Sequence, residues 1–470
     1  MEVLAREAEH ADHRVRAADY RPRAADLQAL VRLAFPVAVV QVGMLSMGVV
    51  DTIMVGRVSA IDLAAVAIGH LYFFGVAVFG MGVLYSLDPV ISQSVGAGDA
   101  VGVSRGVQRG FVLALSLSLI AMLLLVPAAP FFRAVGQPAE IVPTAGRYAH
   151  ALIAGVFPFY GFIVLRQSLQ AMGRVRAILV VVVAANLVNA GLNWVLIYGN
   201  LGVPALGAVG SAWATSIARW FMLVALLATG WPLLHPHLRP LRRDALAARP
   251  LARLVRVGAP VGAQQWLEFG VFGAAGLLMG LLGAVALASH QVALQLAALT
   301  FMVPVGVAQA TSVLVGHAVG RGDPSAARRA VGAGAITGIG FMTFTALVFL
   351  AVPELLARAF SPDPSVVRVA AVLLPIAGVF QVFDGLQVVA AGALRGVADT
   401  RVPMLINLVG FWLVGLPVSA WLGLVLGAGP AGIWWGLAVG IGVVGVLLAY
   451  RIRRRFGQSL ERLVIDEEHP

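Results

Sequence analysis

Twelve apolar stretches, each long enough to cross a lipid bilayer, follow one another along the chain. A span needs about 20 apolar residues, because each helical residue rises about 1.5 Å. We therefore predict twelve transmembrane helices. They fall at 33–56, 63–87, 110–132, 148–165, 177–198, 207–231, 256–283, 286–316, 330–353, 369–394, 402–426 and 431–450.

The composition agrees with this pattern. The 470 residues are 60% hydrophobic and only 12% charged, whereas soluble domains are about 25% charged. We therefore predict an all-α integral membrane protein whose main surroundings are the lipid bilayer. The absence of cysteine excludes disulfides, thiolate metal sites and thiol catalysis. Without an H-x-x-x-H or D-D-x-x-D arrangement, we expect no enzyme activity and no cofactor other than a coupling ion, Na⁺ or H⁺.

The net charge of +11 is carried mainly by the segments between spans. In a membrane protein such an excess sets topology and does not indicate nucleic acid binding, so we predict no nucleic acid partner. Arginines crowd the first 28 residues, the linker at 232–253 and the last residues, and they are absent from 199–206, 284–285 and 427–430. Both termini are therefore predicted to be cytoplasmic in a multi-pass protein of the cell (inner) membrane.

Two halves of the chain repeat each other. Pro36 and Pro260 lie in matching stretches, as do Asp99 and Asp323 at the same offset. We predict a cytoplasmic arm at 1–28, an N-lobe at 29–231, a cytoplasmic linker at 232–253, a C-lobe at 254–454 and a cytoplasmic tail at 455–470. Six helices per lobe give both lobes one orientation, so a pseudo-two-fold axis along the membrane normal relates them. Paired halves of this kind form alternating-access transporters.

Three acids lie within the apolar stretches: Asp51, Glu268 and Asp384. A carboxylate in hydrocarbon costs at least about 2.5 kcal/mol, so each is a candidate functional group; the alternative is a protonated group that joins two helices. Their repeat-related positions carry Ala275, Met44 and Gln167, respectively. The acids are thus not duplicated although the surrounding scaffold is, which favours a functional role.

Paired carboxylates bind a cation in one of two ways. With neutral oxygen ligands they form a Na⁺ site, and otherwise they exchange a proton, because burial and mutual repulsion penalise the doubly charged pair. The residues leave both open. Asn186, Asn189 and Asn193 share one helix face and are candidate partners of Asp51, with interhelical hydrogen bonding as the alternative. The embedded arginines need partners too, and Asp51 is a candidate for Arg166 and Arg219.

Aromatic and methionine side chains near these acids are candidates for the wall of a substrate cavity. Cation–π contacts would hold aromatic cations there, whereas packing or lipid contact explains the same residues without a ligand. The candidates are Trp266, Phe269, Met302 and Phe380.

At these residues the chain resembles the multidrug and toxic compound extrusion (MATE) family, in its bacterial NorM-like branch. The resemblance rests on stretches at 50–66, 258–269, 283–291 and 384–401 together with the duplication. It implies two lobes in a V and export of cationic, often aromatic, compounds against Na⁺ or H⁺. By position, Glu268 and Asp384 match the C-lobe cation-site acids, and Asp51 matches the N-lobe acid.

The resemblance extends to the neighbours of these acids, with two departures. Asn189 and Asn193 match partners of the N-lobe acid, although other branches carry an acid at the second position. Members with a C-lobe Na⁺ site often have Tyr four residues before the helix-10 acid, where this chain has Phe380. The amide at Asn193 argues against a proton mechanism confined to the N-lobe. The phenylalanine at Phe380 removes one oxygen ligand from a C-lobe Na⁺ site and so argues against Na⁺ specificity.

We therefore predict a monomeric, cation-coupled multidrug efflux antiporter for small organic cations. The alternative is a flippase for lipid-linked saccharides, which would need a broad basic cavity. The deep charges here are mostly acidic, with Arg166 and Arg219 as the exceptions.

Overall fold

The computed structural model describes residues 17–466, and in this part of the chain it contains twelve long helical segments and no β-strand. Residues 1–16 of the predicted arm and 467–470 of the predicted tail lie outside the described residues. The helices are α1 Ala24–Gly56, α2 Ala60–Gly96, α3 Ala100–Leu125, α4 Val142–Ile153 with Val156–Ala171, α5 Arg176–Tyr198, α6 Ala208–Leu238, α7 Ala248–Leu281, α8 Ala284–Gly320, α9 Pro324–Ala351, α10 Pro364–Gly396, α11 Arg401–Val425 and α12 Gly429–Phe456. Short helices, Ala128–Ala134 and Pro353–Phe360, precede α4 and α10.

Ten of these helices are long and apolar enough to cross a membrane, and the two parts of α4, bent by 47°, make an eleventh span, counted over residues 17–466. The twelfth helix, α7, is 34 residues long and is not among the helices that are apolar enough by this measure. Its apolar run is interrupted by Gln264, Gln265 and Glu268, which lower its hydropathy. The helix that departs most from a lipid-soluble pattern is therefore the one that carries a predicted functional acid.

Several helices extend beyond the predicted apolar stretches. Helix α1 begins at Ala24, inside the segment predicted to be an arm, and α6 and α7 shorten the predicted linker to 239–247. Two prolines, Pro232 and Pro236, lie within α6. Hydropathy marks the part of a helix that lies in apolar surroundings, whereas the backbone hydrogen bonds continue into polar residues at either end. The predicted stretches therefore stop short of the helix ends.

The two halves, α1–α6 and α7–α12, repeat each other in detail. Pro36 lies inside α1 and Pro260 inside α7. Asp99 accepts a hydrogen bond from the backbone N–H of Gly102 at the start of α3, and Asp323 accepts one from that of Ala326 at the start of α9, both at 2.8 Å. The glycine before each aspartate has a positive φ, 69° at position 98 and 70° at position 322, which an L-residue adopts at a cost. The predicted duplication is thus present in the local structure.

One end of the bundle carries both ends of the described chain, and we call it the terminal end. There Arg329 at the start of α9 pairs with Asp26 at the start of α1, 3.2 Å apart. Arg328 donates to the backbone oxygen of Phe456 at the end of α12. The starts of α1 and α9 and the end of α12 therefore share one face of the protein.

The halves approach each other most closely toward the terminal end. A Cβ added at Gly82 of α2 would lie 2.5 Å from the Cα of Gly262 in α7, so the two backbones cross in direct contact. A Cβ at Gly306 of α8 would likewise lie 2.7 Å from the backbone nitrogen of Ala38 in α1. Small residues allow helices to pack this closely in membranes.

Candidate functional site

A cavity of about 830 Å³ lies between the two halves. Its wall includes Asp51, His70 and Phe74 from the first half and Glu268 and Met302 from the second. Such a volume lies within the range of about 300–1,000 Å³ that small-molecule sites occupy. The cavity therefore brings residues of the two repeats to one place, as a central transport site requires.

Asp51 of α1 is buried and accepts a hydrogen bond on each carboxylate oxygen. Asn193 of α5 donates through Nδ2 to Oδ1 at 2.6 Å, and Thr215 of α6 donates through Oγ1 to Oδ2 at 2.7 Å. The same Asn193 amide donates to Oδ1 of Asn189 at 3.2 Å. Three helices thus fix this carboxylate, and two of its predicted amide neighbours, Asn189 and Asn193, form part of the network.

Asn186, the third predicted amide, does not belong to this network. It donates to the backbone oxygens of Gly43 at 3.0 Å and Val182 at 2.8 Å. Although it shares a helix face with Asn193, it is seven residues away, which is two turns or about 10 Å along the axis. Thr215 was not predicted, because a single threonine in an apolar helix carries no recognisable signal.

The second-half acids, Glu268 of α7 and Asp384 of α10, lie on helix faces that meet. Glu268 is one turn before Phe272, Phe380 is one turn before Asp384, and the two phenylalanine rings pack edge-on with centroids 6.1 Å apart. This ring contact places Glu268 and Asp384 in the same region of the second half. In the part of the chain that the structure describes, neither carboxyl group accepts a hydrogen bond from a protein donor.

The two embedded arginines, Arg166 and Arg219, contact uncharged side chains. Arg219 of α6 stacks on Phe73, 4.2 Å from the ring centroid, and on Phe159 at 5.1 Å. Arg166 of α4 donates to Oε1 of Gln41 at 2.7 Å and to the hydroxyl of Tyr85 at 3.4 Å. Over residues 17–466 neither arginine forms an ion pair with Asp51, the candidate partner. Only 1% of Arg166 is exposed, so its charge is held inside the first half.

An ion pair joins the halves toward the terminal end of the cavity. Arg395 at the end of α10 has its Nε 3.3 Å from Oδ2 of Asp88, which is fully buried in α2. Next to it, Nε2 of Gln93 donates to the backbone oxygen of Gly396 at 2.8 Å. The sequence did not indicate this junction, because its members are far apart along the chain and look like ordinary residues at helix ends.

The four predicted cavity residues lie in different surroundings. Met302 lines the cavity, whereas Trp266 is 52% exposed on the outside of α7, because two residues on a helix turn the side chain by about 200° from Glu268. Phe269 packs against Phe74 of the first half, with ring centroids 5.4 Å apart, and does not line the cavity. Phe380 is buried in the second-half core against Phe272 and Trp434, also away from the cavity wall.

A family model described as MatE matches the chain twice, at residues 36–195 and 260–421, which together make up more than half of its length. The chain belongs to the MatE family. The two matched segments begin at Pro36 and Pro260, the repeat-related prolines of α1 and α7. Each match covers the first five helices of a half, from α1 into α5 and from α7 into α11, so the family pattern is present here in two copies.

Relatives within the MATE family cover most of the chain. The multidrug resistance protein NorM of Burkholderia vietnamiensis is 39% identical over 430 residues, covering 89% of this chain and 92% of that protein. The probable multidrug resistance protein NorM of Bradyrhizobium diazoefficiens is 37% identical over 405 residues, covering 85% and 87%. The crystal structure of the eukaryotic MATE transporter AtDTX14 has the same fold, with a TM-score of 0.84 at 21% identity over 92% of this chain and 97% of that chain. The chain is thus a NorM-like, multi-pass membrane protein of this family.

Proposed function

We propose that this MATE family member is a cation-coupled multidrug efflux antiporter. It would export organic, often aromatic, cations by alternating access while H⁺ or Na⁺ moves inward. The relatives named multidrug resistance protein NorM support multidrug efflux as the general activity. The cavity between two repeated halves supports a central substrate site that each side of the membrane reaches in turn.

The pair Glu268 and Asp384 is the observation that carries the coupling proposal. Two carboxyl groups lie within one turn of contacting phenylalanine rings on α7 and α10, and neither receives a hydrogen bond from a protein donor among the described residues. Burying two like charges in this way is costly unless a positive charge joins them. A proton or a metal cation would supply that charge, and its arrival and departure would alter the packing of α7 against α10.

The surroundings of the pair favour a proton over Na⁺. The ring of Phe380, which carries no oxygen, packs one turn from Asp384 against Phe272. The amide of Gln381 is engaged elsewhere, donating to Thr300 and accepting from Oγ1 of Thr345 at 3.1 Å. Hard cations prefer a full set of oxygen ligands, and these residues do not supply one.

Asp51 would be the first-half partner in coupling. Its hydrogen bonds from Asn193 and Thr215 offset part of the cost of burying a charged carboxylate, and a bound cation would offset more of it. Protonation or cation binding there would loosen the contacts among α1, α5 and α6. Ion exchange in one half would thereby reach the helices that line the cavity.

The cavity wall suits an organic cation better than the head group of a lipid-linked saccharide. Glu268 lies in the wall, and Phe73, Phe74 and Phe301 provide aromatic surface. Of the arginines in the wall, Arg395 is paired with Asp88, Arg166 is buried in the first half, and Arg219 stacks on Phe73 and Phe159. The wall thus combines acids, aromatic rings and these held arginines, which differs from the broad basic surface expected of a flippase.

We further propose that the protein is a monomer of the inner membrane with both termini in the cytoplasm. Arginine placement supports this orientation. The terminal end, where the halves pack through Gly82 and Gly262, would then face the cytoplasm. The cavity would accordingly be closed on the cytoplasmic side in the conformation described here.

Transport of a fluorescent organic cation in proteoliposomes, with either a pH or a Na⁺ gradient imposed, tests the proposal. We expect gradient-driven movement of the dye with a pH gradient, and a more than tenfold loss of this movement in Glu268→Gln. The control is Glu354→Gln, which removes a carboxylate from an exposed pair with Arg358. Absence of dye movement under both gradients would refute antiport, and movement of a lipid-linked saccharide in the same vesicles would support the flippase.

A further inference from the structure

The residues after α12 cross from one half of the protein to the other. Helix α12 ends at Phe456, which is fully buried in the second-half core. Nine residues later Ile465 is only 6% exposed and packs in a core cluster made mostly of first-half residues, which also includes Leu254 of α7, with Leu463 beside it. We call residues 457–466 the strap. Its root belongs to the second half. Its tip reaches the first half, where it also meets the start of α7, because Arg253 donates to the backbone oxygen of Ile465 at 2.8 Å.

The middle of the strap is held by the first half through specific hydrogen bonds. The guanidinium of Arg462 donates to Oδ2 of Asp99 at 2.5 Å and to Oγ of Ser94 at 3.2 Å. The backbone N–H of Leu463 donates to Oε1 of Gln93 at 2.7 Å. These partners lie at the end of α2 and the start of α3, so a short surface of the first half receives the strap.

The last residue of the strap, Asp466, forms an ion pair with a buried arginine, Arg109. Asp466 has Oδ1 2.5 Å from Nη2 of Arg109 in α3 and Oδ2 3.2 Å from Nη1 of Arg105. Arg109 is only 2% exposed, and Asp466 is its ion-pair partner among the described residues. Removing one member of a buried pair leaves the other charge uncompensated, which is much more costly than losing a surface ion pair. Undocking of the strap therefore has a substantial free-energy cost.

Gln93 connects the strap with the junction between the halves. Its side-chain nitrogen donates to Gly396 at the end of α10, while its side-chain oxygen accepts from Leu463 of the strap. The pair Asp88 and Arg395 lies about one and a half helical turns away along α2. The strap is therefore part of the same contact region that closes the cavity toward the terminal end.

We propose that residues 457–466 form a latch that stabilises the conformation closed at the terminal end and must leave the first half during each transport cycle. The inference rests on the proposed alternating access, because separation of the halves at this end would pull the root and the tip apart. The docked strap opposes that separation through Arg462 and Asp466. Its release and return set the balance between the two cavity orientations.

Chemical cross-linking tests the latch directly, since the chain contains no cysteine. Cysteines at Asp99 and Arg462, joined by a short bismaleimide, tie the strap to the first half. The matched control joins cysteines at Glu354 and Arg358, an exposed pair 3.5 Å apart on one short helix of the second half and outside the strap. We expect the first cross-link to reduce gradient-driven dye transport more than tenfold and the control to leave it within twofold. Normal transport by the Asp99–Arg462 cross-linked protein would overturn the latch.

A second measurement follows the docking of the strap without a cross-link. Ile465→Cys places a thiol at the buried tip, and its rate of labelling by a water-soluble maleimide reports exposure. We expect labelling to be slow at rest and to rise severalfold with substrate and ion gradient present, but not with substrate absent. An unchanged rate during demonstrable transport would overturn the latch. If no gradient drives any transport, the proposed function fails instead, while slow labelling at rest still reports a docked strap.

Discussion

The two halves repeat one fold but surround their acids differently. In the first half, Asp51 receives hydrogen bonds from Asn193 and Thr215, so the protein itself stabilises the carboxylate. In the second half, Glu268 and Asp384 lie beside the contacting rings of Phe272 and Phe380 and receive no hydrogen bond from a described residue. The difference teaches that a duplicated scaffold can hold its acids in two electrostatic surroundings, one acid with fixed donors and a pair without any among the described residues.

The largest expected effect comes from breaking the second-half pair. Asp384→Asn should reduce gradient-driven dye transport more than tenfold, because one carboxyl group cannot retain the cation as two do. The same change should leave the unfolding temperature equal or higher, since it removes one of two buried like charges. Dye transport in proteoliposomes and thermal unfolding in detergent check these expectations. A clearly lower unfolding temperature would show that the pair stabilises the fold, against our interpretation.

A change in the first half should act mainly on stability. Asn193→Ala removes a donor from buried Asp51 and should lower the free energy of unfolding by about 1–3 kcal/mol. The matched control is Asn186→Ala, on the same face of α5 but bonded to Gly43, which should destabilise the protein less. Thermal unfolding of both variants provides the measurement. Equal destabilisation would contradict a special role for the Asp51 network.

Phe380→Tyr changes the surroundings of the second-half pair by adding an oxygen one turn from Asp384. If the second-half pair exchanges the coupling ion, we expect a Na⁺ gradient to drive dye transport a few fold better in this variant than in the parent protein. The ring is buried against Phe272 and Trp434, so the unpaired hydroxyl should also lower stability modestly. Phe272→Tyr, on the facing helix, is the comparison. No change in ion dependence would count against coupling at this pair.

The smallest expected effect concerns the pH dependence of strap docking. The backbone N–H of Gly102 lowers the pKa of Asp99, burial opposes this shift, and Arg462 reinforces it. Burial alone would raise the pKa of Asp466, but the hydrogen bond and charge of Arg109, helped by Arg105, lower it overall. Other charged groups at this face are Arg253 and Asp244.

Aspartates with lowered pKa values contribute stability above the ordinary aspartate pKa of about 4 and lose it as the pH falls through the folded value. We therefore expect docking to stay constant from about pH 8 to pH 5 and to weaken only at lower pH. A spin label on Val464→Cys, an exposed strap position, reports docking as restricted motion. Release of the label near neutral pH would contradict this assignment of charges.

The sequence predicted the scaffold more fully than the site. Apolar length and arginine placement indicate the helices, and the repeat around Pro36 and Pro260 indicates two halves, because these features are local along the chain. Acids in apolar stretches stand out for the same reason. What surrounds them depends on helix rotation, which decides that Asn193 reaches Asp51 while Asn186 does not. Trp266 shows the same limit, since a position near Glu268 in sequence lies on the opposite face.

Contacts between distant segments carry no local pattern at all. The junction of Asp88 with Arg395 and the docking of Arg462 on Asp99 join residues more than 300 positions apart. Each member alone resembles an ordinary charge at a helix end or in a tail. Only the packing of the two halves reveals that they belong together.

The glycine crossing of α2 and α7 offers a site where one substitution would disfavour the packed conformation. Because the backbones touch at Gly82 and Gly262, a single methyl group added at either position has no room while the halves are packed. Gly82→Ala would penalise this packed arrangement alone, provided that the opposite orientation separates the two backbones. One carbon atom would thereby shift the population toward the conformation complementary to the one described here, which offers a route to trapping it for structure determination.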